Sequence, residues 1–217
     1  MENKNFTIGL VGNPNCGKTT IFNGLTGARQ HIGNWPGVTV EKKDGHYSYN
    51  GNTVNVVDTP GIYSLLATSE DEKATLNFVL SRQADVIVNI VDATCIERSL
   101  YLSLLLRELD IPIVLAVSMM DIAYERQIQL DLNKLSERLC VPVIPVNGSK
   151  KSDIKRLKEL EVEVSVDDAS LARELAFFAD RCDISEEYTR LSTHFAHFAK
   201  LLEAVEPAGR KLDFLCQ

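Results

Sequence analysis

Residues 6–20 read FTIGLVGNPNCGKTT, and this stretch decides the fold. Residues 6–11 form a short apolar run typical of a buried strand, and the residues after it are typical of a turn followed by a helix. Residues 12–19 fit the phosphate-binding pattern G-x-x-x-x-G-K-[ST], in which backbone N–H groups and a helix N-terminus surround phosphate oxygens. The pattern assigns Lys18 to the β- and γ-phosphates and the Thr19 hydroxyl to Mg²⁺. We therefore predict a nucleotide-binding P-loop that consists of Gly12, Asn13, Pro14, Asn15, Cys16, Gly17, Lys18, Thr19 and Thr20.

The composition is that of a globular protein of 217 residues with a net charge of -7. This acidic balance, without a dense Lys/Arg cluster, argues against a nucleic-acid-binding surface. The five cysteines are scattered and form no C-x-x-C pair, which predicts a reducing, cytoplasmic setting without disulfides or a zinc site. We expect no signal peptide, and since no run of 18 apolar residues occurs, we expect a soluble chain.

Apolar runs alternate with segments of helical pattern through most of the chain. The runs typical of strands cover residues 6–11, 38–49, 53–58, 85–91, 112–117 and 141–146. The segments typical of helices cover residues 70–81, 96–108, 123–139 and 155–163. This alternation predicts an α/β fold, a mostly parallel sheet with helices on both faces.

Two regions depart from the alternation. Residues 26–37 are polar and glycine-rich and predict a loop, and the turn Asn50-Gly51-Asn52 predicts a hairpin with one antiparallel strand at the sheet edge. From residue 166 onward no strand pattern remains, whereas residues 168–181 and 185–204 favour helices. We therefore predict a nucleotide-binding domain over residues 1–165 and a small helical domain over residues 166–217.

Two further segments complete a candidate nucleotide site. Asp58-Thr59-Pro60-Gly61 is a D-x-x-G pattern at a strand end, where Asp58 would hold Mg²⁺ through water and the Gly61 amide would sense a γ-phosphate. Residues 33–40 form a loop in which the Thr39 hydroxyl can reach Mg²⁺ only when GTP is bound, which would make the loop a switch. In that interpretation Trp35 is exposed; the alternative is a plain connecting loop.

Base recognition is expected after the strand that ends near residue 117. The sequence there is Ser118-Met119-Met120-Asp121, at the place of the GTPase pattern N-K-x-D or N-x-x-D. The Asp121 carboxylate could accept hydrogen bonds from guanine N1 and the 2-amino group, a pair of donors that adenine lacks. The alternative is that Asp121 is the N-cap of the next helix. Taken together, the motifs predict a Ras-like P-loop GTPase fold.

The motifs at residues 12–19, 33–41 and 58–65 resemble the G domain of the bacterial ferrous iron transporter family FeoB. That domain carries G-N-P-N-x-G-K-T, G-N-W-P-G-V-T-V-E and D-x-P-G-x-Y-S-L, and the likeness extends over about residues 5–155. The resemblance implies a GTP/GDP cycle with Mg²⁺ that gates Fe²⁺ uptake at the cytoplasmic face of the bacterial inner membrane. It also implies a helical domain that modulates GDP release and, as a partner absent from this chain, a membrane domain. A homo-oligomer is possible.

The resemblance further implies a K⁺ ion in the place of an arginine finger, bound by Asn15 and by the carbonyls of Gly33 and Trp35. A cation beside the bridging oxygen would offset charge that develops in the transition state, which makes Asn15, Lys18, Thr39 and Gly61 the candidate catalytic residues. Ile62 stands where Ras-like enzymes have a water-orienting Gln. We therefore expect slow intrinsic hydrolysis.

Two positions depart from the family pattern. Ser118 replaces an Asn whose side chain joins the base loop to the P-loop and contacts the purine, and Ser is too short to reach both. The loss of one such hydrogen bond costs on the order of 1 kcal/mol, so we expect weaker GTP and GDP binding. The other departure is the turn Asn147-Gly148-Ser149-Lys150, in which the amide of Gly148 or Ser149 would contact guanine O6.

Two other functions stay open. One is a GTPase of the same wider class that acts in tRNA modification or ribosome assembly, against which the acidic charge and residues 33–41 argue. The other is a nucleotide-sensing module with little turnover, since Ser118 and Ile62 both depart from active GTPases.

Overall fold

The computed structural model describes residues 5–65, 69–109 and 111–166. The strands are β1 (Asn5–Gly12), β2 (Gln30–Asn34), β3 (Glu41–Tyr49), β4 (Asn52–Asp58), β5 (Val86–Asp92), β6 (Ile113–Ser118) and β7 (Val143–Pro145). The helices are α1 (Lys18–Thr26), α2 (Glu70–Leu80), α3 (Ile96–Arg107), α4 (Met120–Glu125), α5 (Leu132–Leu139) and α6 (Lys151–Val166). The predicted helices over residues 168–181 and 185–204 lie outside the described residues.

The seven strands form a single sheet in the order β2-β3-β4-β1-β5-β6-β7. Strands β4, β1, β5, β6 and β7 are parallel, as the alternation of apolar runs predicts. Because parallel strands end at the same edge, the loops that follow β1, β4 and β6 lie side by side. This edge carries the P-loop after β1, Asp58 at the end of β4 and Ser118 at the end of β6.

Helices cover both faces of the sheet, as predicted. On one face α1 and α6 pack on the central strands, with Phe22 of α1 and Leu157 of α6 fully buried. On the other face α2, α3 and α5 supply Phe78, Leu102 and Leu135. The apolar runs β5 and β6 are buried on both sides, which is typical of the central strands of a parallel sheet.

The antiparallel edge of the sheet differs from the prediction. Residues 26–37 are not all loop, since residues 30–34 form β2 and pair with β3, which begins at Glu41 rather than at residue 38. Two antiparallel strands therefore extend the sheet, and β2 is the edge. A turn at residues 35–38 connects them, with Gly37 at φ 78 after Pro36, as a type II turn requires.

The predicted helix over residues 123–139 is two helices. α4 ends at Glu125, and Gln127 then takes a positive φ of 60, which interrupts the helical path. Asp131 begins α5, because its side chain accepts a hydrogen bond from the Lys134 N–H. Strand β7 (Val143–Pro145) is shorter than the strand predicted over residues 141–146. Helix α6 (Lys151–Val166) is longer than the helix predicted over residues 155–163.

A buried polar contact joins β3 to α6. The Tyr47 hydroxyl donates a hydrogen bond of 2.6 Å to Glu161 Oε2, and Glu161 is 0% exposed. Burial raises the pKa of Glu161 to about 8, although the Tyr47 hydrogen bond and the charge of Lys158 oppose the shift. The other oxygen of Glu161 has no hydrogen-bond partner within the described part of the chain.

Candidate functional site

The loop between β1 and α1 is shaped by glycines and by left-handed backbone. Asn15 and Gly17 take φ values of 64 and 88. A Cβ on Gly12 would collide with the Cys16 sulfur at 2.9 Å and with the Ile90 carbonyl. The Cys16 thiol is buried and its pKa is raised, chiefly by desolvation, so it stays protonated at neutral pH. The loop therefore curls tightly onto the sheet and leads into the N-terminus of α1.

Two side chains of the candidate phosphate site converge on Asp58. The Thr19 hydroxyl donates to Asp58 Oδ2 at 3.1 Å, and Lys18 Nζ lies 3.9 Å from Asp58 Oδ1. Burial raises the pKa of Asp58, while Lys18 and the Thr19 hydrogen bond oppose the shift. Asp58 Oδ1 is buried and accepts no hydrogen bond from any described residue. The arrangement thus offers hard oxygen ligands and one lysine cation at a single point.

The D-x-x-G segment lies directly against the P-loop. A Cβ on Gly61 would stand 2.7 Å from the Pro14 nitrogen, so only glycine allows this approach. The Ile62 N–H donates to the Gly12 carbonyl at 3.1 Å, and the Ile62 side chain is fully buried. The two phosphate-side motifs are therefore one connected unit.

Ser118 connects the base loop to the same unit. Its hydroxyl lies 2.7 Å from the Cys16 carbonyl and 3.0 Å from the Val91 carbonyl, and with one proton it donates to one of them at a time. Two contacts are expected of an Asn at this position, one to the P-loop and one to the purine. Ser118 makes the contact to the P-loop. The contact to a purine stays a prediction. Met119 follows with a left-handed φ of 56 and begins α4.

Asp121 lies in the first turn of α4 and is not its N-cap, which is Met119. Its Oδ2 accepts a hydrogen bond from Asn147 Nδ2 at 3.4 Å, and its Oδ1 accepts from the Ile122 N–H at 3.0 Å. Asn147 in turn accepts the Ser149 N–H on its Oδ1 and donates its own N–H to Asp153. Sequence reasoning missed Asn147 as a partner of Asp121, since only the packing of the turn brings them together.

The turn at residues 147–150 also packs against α1. A Cβ on Gly148 would stand 2.8 Å from the Ile21 nitrogen, and a Cβ on Gly24 would stand 2.8 Å from the Gly148 carbonyl. Glycines on both sides thus allow the turn and the P-loop helix to approach closely. Thr20, the last residue of the predicted P-loop set, borders this contact and is exposed.

The predicted switch residues belong to β2 and to the turn that leads into β3. Gly33 is in β2 opposite Lys42, and Thr39 is exposed in the turn that leads into β3. The prediction of an exposed Trp35 is wrong: Trp35 is 5% exposed and packs edge-on against Phe78 of α2 at 5.5 Å between ring centroids. The Trp35 carbonyl accepts the Val38 N–H at 3.3 Å, so one of its lone pairs is used within the turn.

The sequence motifs also did not predict a contact between the P-loop and α3. Asn13 Nδ2 donates to the Ser99 hydroxyl at 3.4 Å, and both residues are buried. Asn13 Oδ1 has no hydrogen-bond partner among residues 5–65, 69–109 and 111–166. Ser99 lies in the segment Glu97-Arg98-Ser99-Leu100-Tyr101-Leu102, which also resembles the family, but its contact with Asn13 depends on where α3 lies.

The family model described as ferrous iron transport protein B matches residues 6–161. A second model, described as endoribonuclease YicC-like, C-terminal, matches residues 145–217. The chain is 50% identical over 159 residues to the Fe(2+) transporter FeoB of Salmonella typhimurium and, over the same number of residues, to that of Escherichia coli (strain K12). Each alignment covers 71% of this chain and 21% of the relative, so the chain spans about a fifth of the curated relatives it matches.

Solved structures give the same assignment. The cytosolic domain of L. pneumophila FeoB superposes with a TM-score of 0.75 at 33% identity, covering 93% of this chain and 99% of that one. The cytosolic domain of the T. maritima transporter in a GDP form has a TM-score of 0.72 at 38% identity, with 76% and 65% covered. Its GMPPNP form has a TM-score of 0.70 at 40% identity, with 73% and 63% covered. The observed sheet is thus that of a P-loop GTPase fold, as predicted.

Proposed function

The chain belongs to the family of ferrous iron transport protein B, and on that premise we propose that it binds and hydrolyses GTP to regulate ferrous iron transport. The observation that carries the proposal is the convergence of Lys18 and Thr19 on the buried carboxylate of Asp58. A strand-end carboxylate, a helix-start hydroxyl and a lysine are the groups that a metal–triphosphate complex requires. The cytosolic domain of the T. maritima relative has been solved in a GDP form and in a GMPPNP form.

The residues at this point fit Mg²⁺. Thr19 Oγ1 and Asp58 Oδ1, which accepts no hydrogen bond from the described residues, are hard oxygens, which Mg²⁺ prefers. We propose that Thr19 binds the ion directly, that Asp58 binds it through water and that Thr39 joins when GTP is present. The ion would neutralise charge on the β- and γ-phosphates.

We assign the selection of guanine to Asp121 and the turn at residues 147–150, at the end of the site away from Lys18 and Asp58. Asp121 has an exposed carboxylate oriented by Asn147, so a base bound there would meet two acceptor oxygens. The proposal places the base against Ser118 and Met119 on one side and the turn at Gly148 and Ser149 on the other. An amide of that turn would donate to guanine O6.

For hydrolysis, Lys18 would hold the β- and γ-phosphates while the Gly61 N–H meets the γ-phosphate. The Ile62 side chain is apolar and fully buried, so it cannot orient a water molecule. We therefore propose a slow intrinsic rate that K⁺ raises, with Asn15 and the carbonyls of Gly33 and Trp35 as its ligands. We propose that nucleotide binding orders the turn at residue 35 so that these carbonyls and Asn15 bind the ion together.

The transport role rests on the family alone. We propose that the domain acts at the cytoplasmic face of the bacterial inner membrane, with a membrane domain for Fe²⁺ as its partner and with a homo-oligomer as a possible assembly. Within the described residues no helix is both long and apolar enough to cross a membrane.

We propose that residues 1–165 form a nucleotide-binding domain and that residues 166–217 form a small helical domain that modulates GDP release.

We also propose that the chain binds no nucleic acid. This proposal needs a direct test, because the second matching family model is described as endoribonuclease YicC-like. Gel-shift titration with RNA, using the full chain and a chain that ends at residue 166, should show no shift at physiological salt.

The central test is binding of GTP, GDP and non-hydrolysable ATP and GTP analogues to the wild type and to Asp121→Ala. We expect guanine nucleotides to bind at least tenfold more tightly than ATP, and Asp121→Ala to remove this preference. Equal affinity of the wild type for ATP and GTP would contradict the guanine assignment. Release of phosphate then tests hydrolysis.

The buried Ile62 favours a second candidate, a nucleotide sensor with little turnover. Phosphate release separates the two, because a sensor would bind GTP with the same selectivity but release no phosphate in K⁺ or Na⁺ buffer.

A further inference from the structure

Helix α3 is attached to the P-loop strand by two buried serines one turn apart. Ser99 accepts a hydrogen bond from Asn13 and also from the Asp92 N–H at 3.4 Å. Ser103 donates to Asn89 Oδ1 in the middle of β5, and Asn89 Nδ2 donates to the Val11 carbonyl at 3.3 Å. Since these groups are buried, their hydrogen bonds fix the position of α3 relative to the start of the P-loop.

The residue before Ser99 contacts the D-x-x-G segment. The guanidinium carbon of Arg98 lies 3.9 Å from the centre of the Tyr63 ring, within the range of a cation–π contact. Tyr63 follows Gly61 by two residues, and Ile62 between them is bonded through its N–H to the Gly12 carbonyl. One turn of α3 thus touches the P-loop through Ser99 and the segment after Gly61 through Arg98.

A contact between two partly exposed side chains is often only a favourable arrangement of a solvated surface, and Tyr63 is 38% exposed. The position of this contact gives it more weight. Tyr63 stands two residues after Gly61, the residue whose amide would meet the γ-phosphate. Arg98 holds that segment from a helix that is itself bonded to the P-loop.

We propose that Arg98 is a positioning residue that holds Tyr63, and through it the Gly61 amide, in register with the P-loop. The inference rests on the proposed function, in which Gly61 meets the γ-phosphate. Since ordering a free segment costs conformational entropy, a segment held in advance binds the γ-phosphate with less cost. GDP lacks that phosphate, so its affinity does not depend on Arg98. The contact thus sets the preference for GTP over GDP.

The experiment measures affinity for GDP and for a non-hydrolysable GTP analogue in the full chain. We expect Arg98→Ala to weaken binding of the GTP analogue about two- to fivefold, the range of an exposed cation–π contact, and to leave GDP within experimental error. Tyr63→Leu, which removes the ring, should have the same effect. Tyr63→Phe, which keeps it, should behave as the wild type, and so should Arg138→Ala, an exposed arginine on α5.

The double variant Arg98→Ala/Tyr63→Leu should lose no more than either single variant, because both remove one contact. Equal weakening of GDP and the GTP analogue, an additive double variant or an unchanged ratio would overturn the proposal. Thermal unfolding of each variant separates loss of fold from loss of positioning. If the wild type binds no guanine nucleotide, the proposed function itself fails; if it binds both and Arg98→Ala keeps their ratio, only this inference fails.

Discussion

The Ser118 hydroxyl and the Cys16 carbonyl, 102 residues apart in sequence, lie 2.7 Å from each other. The bond joins the loop after β6 to the middle of the P-loop, and Ser118 is 4% exposed. The phosphate end and the base end of the candidate site are therefore in direct contact.

Removal of this contact should loosen both ends. We expect Ser118→Ala to lower the free energy of unfolding by about 1 kcal/mol and to weaken GTP and GDP binding several-fold, because the carbonyl that accepts from the Ser118 hydroxyl loses its donor. Ser118→Asn, with a longer side chain, should tighten both nucleotides by about the same factor. Isothermal titration and thermal unfolding measure the two effects, with Ser48→Ala on the exposed face of β3 as the control. Unchanged affinity in Ser118→Asn would contradict our account of this position.

Asn147 should contribute to base selection without touching phosphate. We expect Asn147→Ala to reduce the preference for GTP over ATP about three- to tenfold, since Asp121 loses the donor that orients its Oδ2. Affinity for inorganic phosphate and pyrophosphate should stay as in the wild type. Competition titrations with both nucleotides test this, and a loss of pyrophosphate binding would show that the turn acts on the whole fold instead.

Asp58 should account for the Mg²⁺ dependence of binding. In the wild type, chelation of Mg²⁺ should weaken GTP binding, whereas in Asp58→Asn the affinity should be low and insensitive to chelation. A loss of about tenfold to a hundredfold follows from the removal of a charged, buried ligand. Thermal stability should not fall, because burial already disfavours the charged form of this carboxyl. A variant that keeps the Mg²⁺ dependence would assign the ion to other residues.

K⁺ activation should depend on the side chain of Asn15. Because Asn15 has a φ of 64, Gly is the substitution that removes the side chain without straining the backbone. We expect the wild type to release phosphate at least tenfold faster in K⁺ than in Na⁺, and Asn15→Gly to lose that difference. Steady-state phosphate release in matched K⁺ and Na⁺ buffers gives the comparison. Persistence of the K⁺ effect in Asn15→Gly would exclude this side chain as a ligand.

Glu161 should make the stability of the domain fall as pH rises. Its folded pKa is about 8 against an ordinary value of 4.5, so between these values the unfolded chain releases a proton that the folded protein keeps. The raised pKa of Glu161 stabilises the folded state fully below pH 4.5. This stabilisation decreases between pH 4.5 and about pH 8, by a few kcal/mol at most in total. Glu161→Gln should flatten this dependence and be the more stable protein at pH 8.5.

Urea unfolding at pH 5.5, 7.0 and 8.5, at fixed ionic strength, measures this effect. Glu125→Gln, at an exposed position on α4, is the matched control and should follow the wild type. Parallel curves for the wild type and Glu161→Gln would show that Glu161 titrates at its ordinary pKa in the folded state.

The parallel part of the fold could be predicted because its strands carry their own signal. β5 and β6 are continuous apolar runs, and the motif after β1 fixes strand, turn and helix in sequence order. β2 could not be predicted, since Gln30, His31 and Asn34 are polar and exposed and become a strand only through pairing with β3. The burial of Trp35 depends in the same way on a distant residue, Phe78.

The candidate site likewise has a part that sequence motifs predict and a part that depends on tertiary packing. The positions of Lys18 and Asp58 follow from motif spacing, because each motif is read within a few residues of sequence. The contacts Asn147–Asp121 and Asn13–Ser99 depend on how two helices lie over the sheet, and no local pattern contains that information. The bond from Ser118 to the Cys16 carbonyl depends on the close approach of two loops.

The hydrogen bond between Tyr47 and Glu161 spans 114 residues of sequence, so it also constrains the order of assembly. Closing so long a loop is entropically costly until the intervening strands have brought β3 and the end of the sheet together. We therefore expect α6 to dock in a late step of folding, with the carboxyl of Glu161 losing its water only at that moment. During synthesis, α6 would dock only after the seven strands of residues 5–145 have left the ribosome.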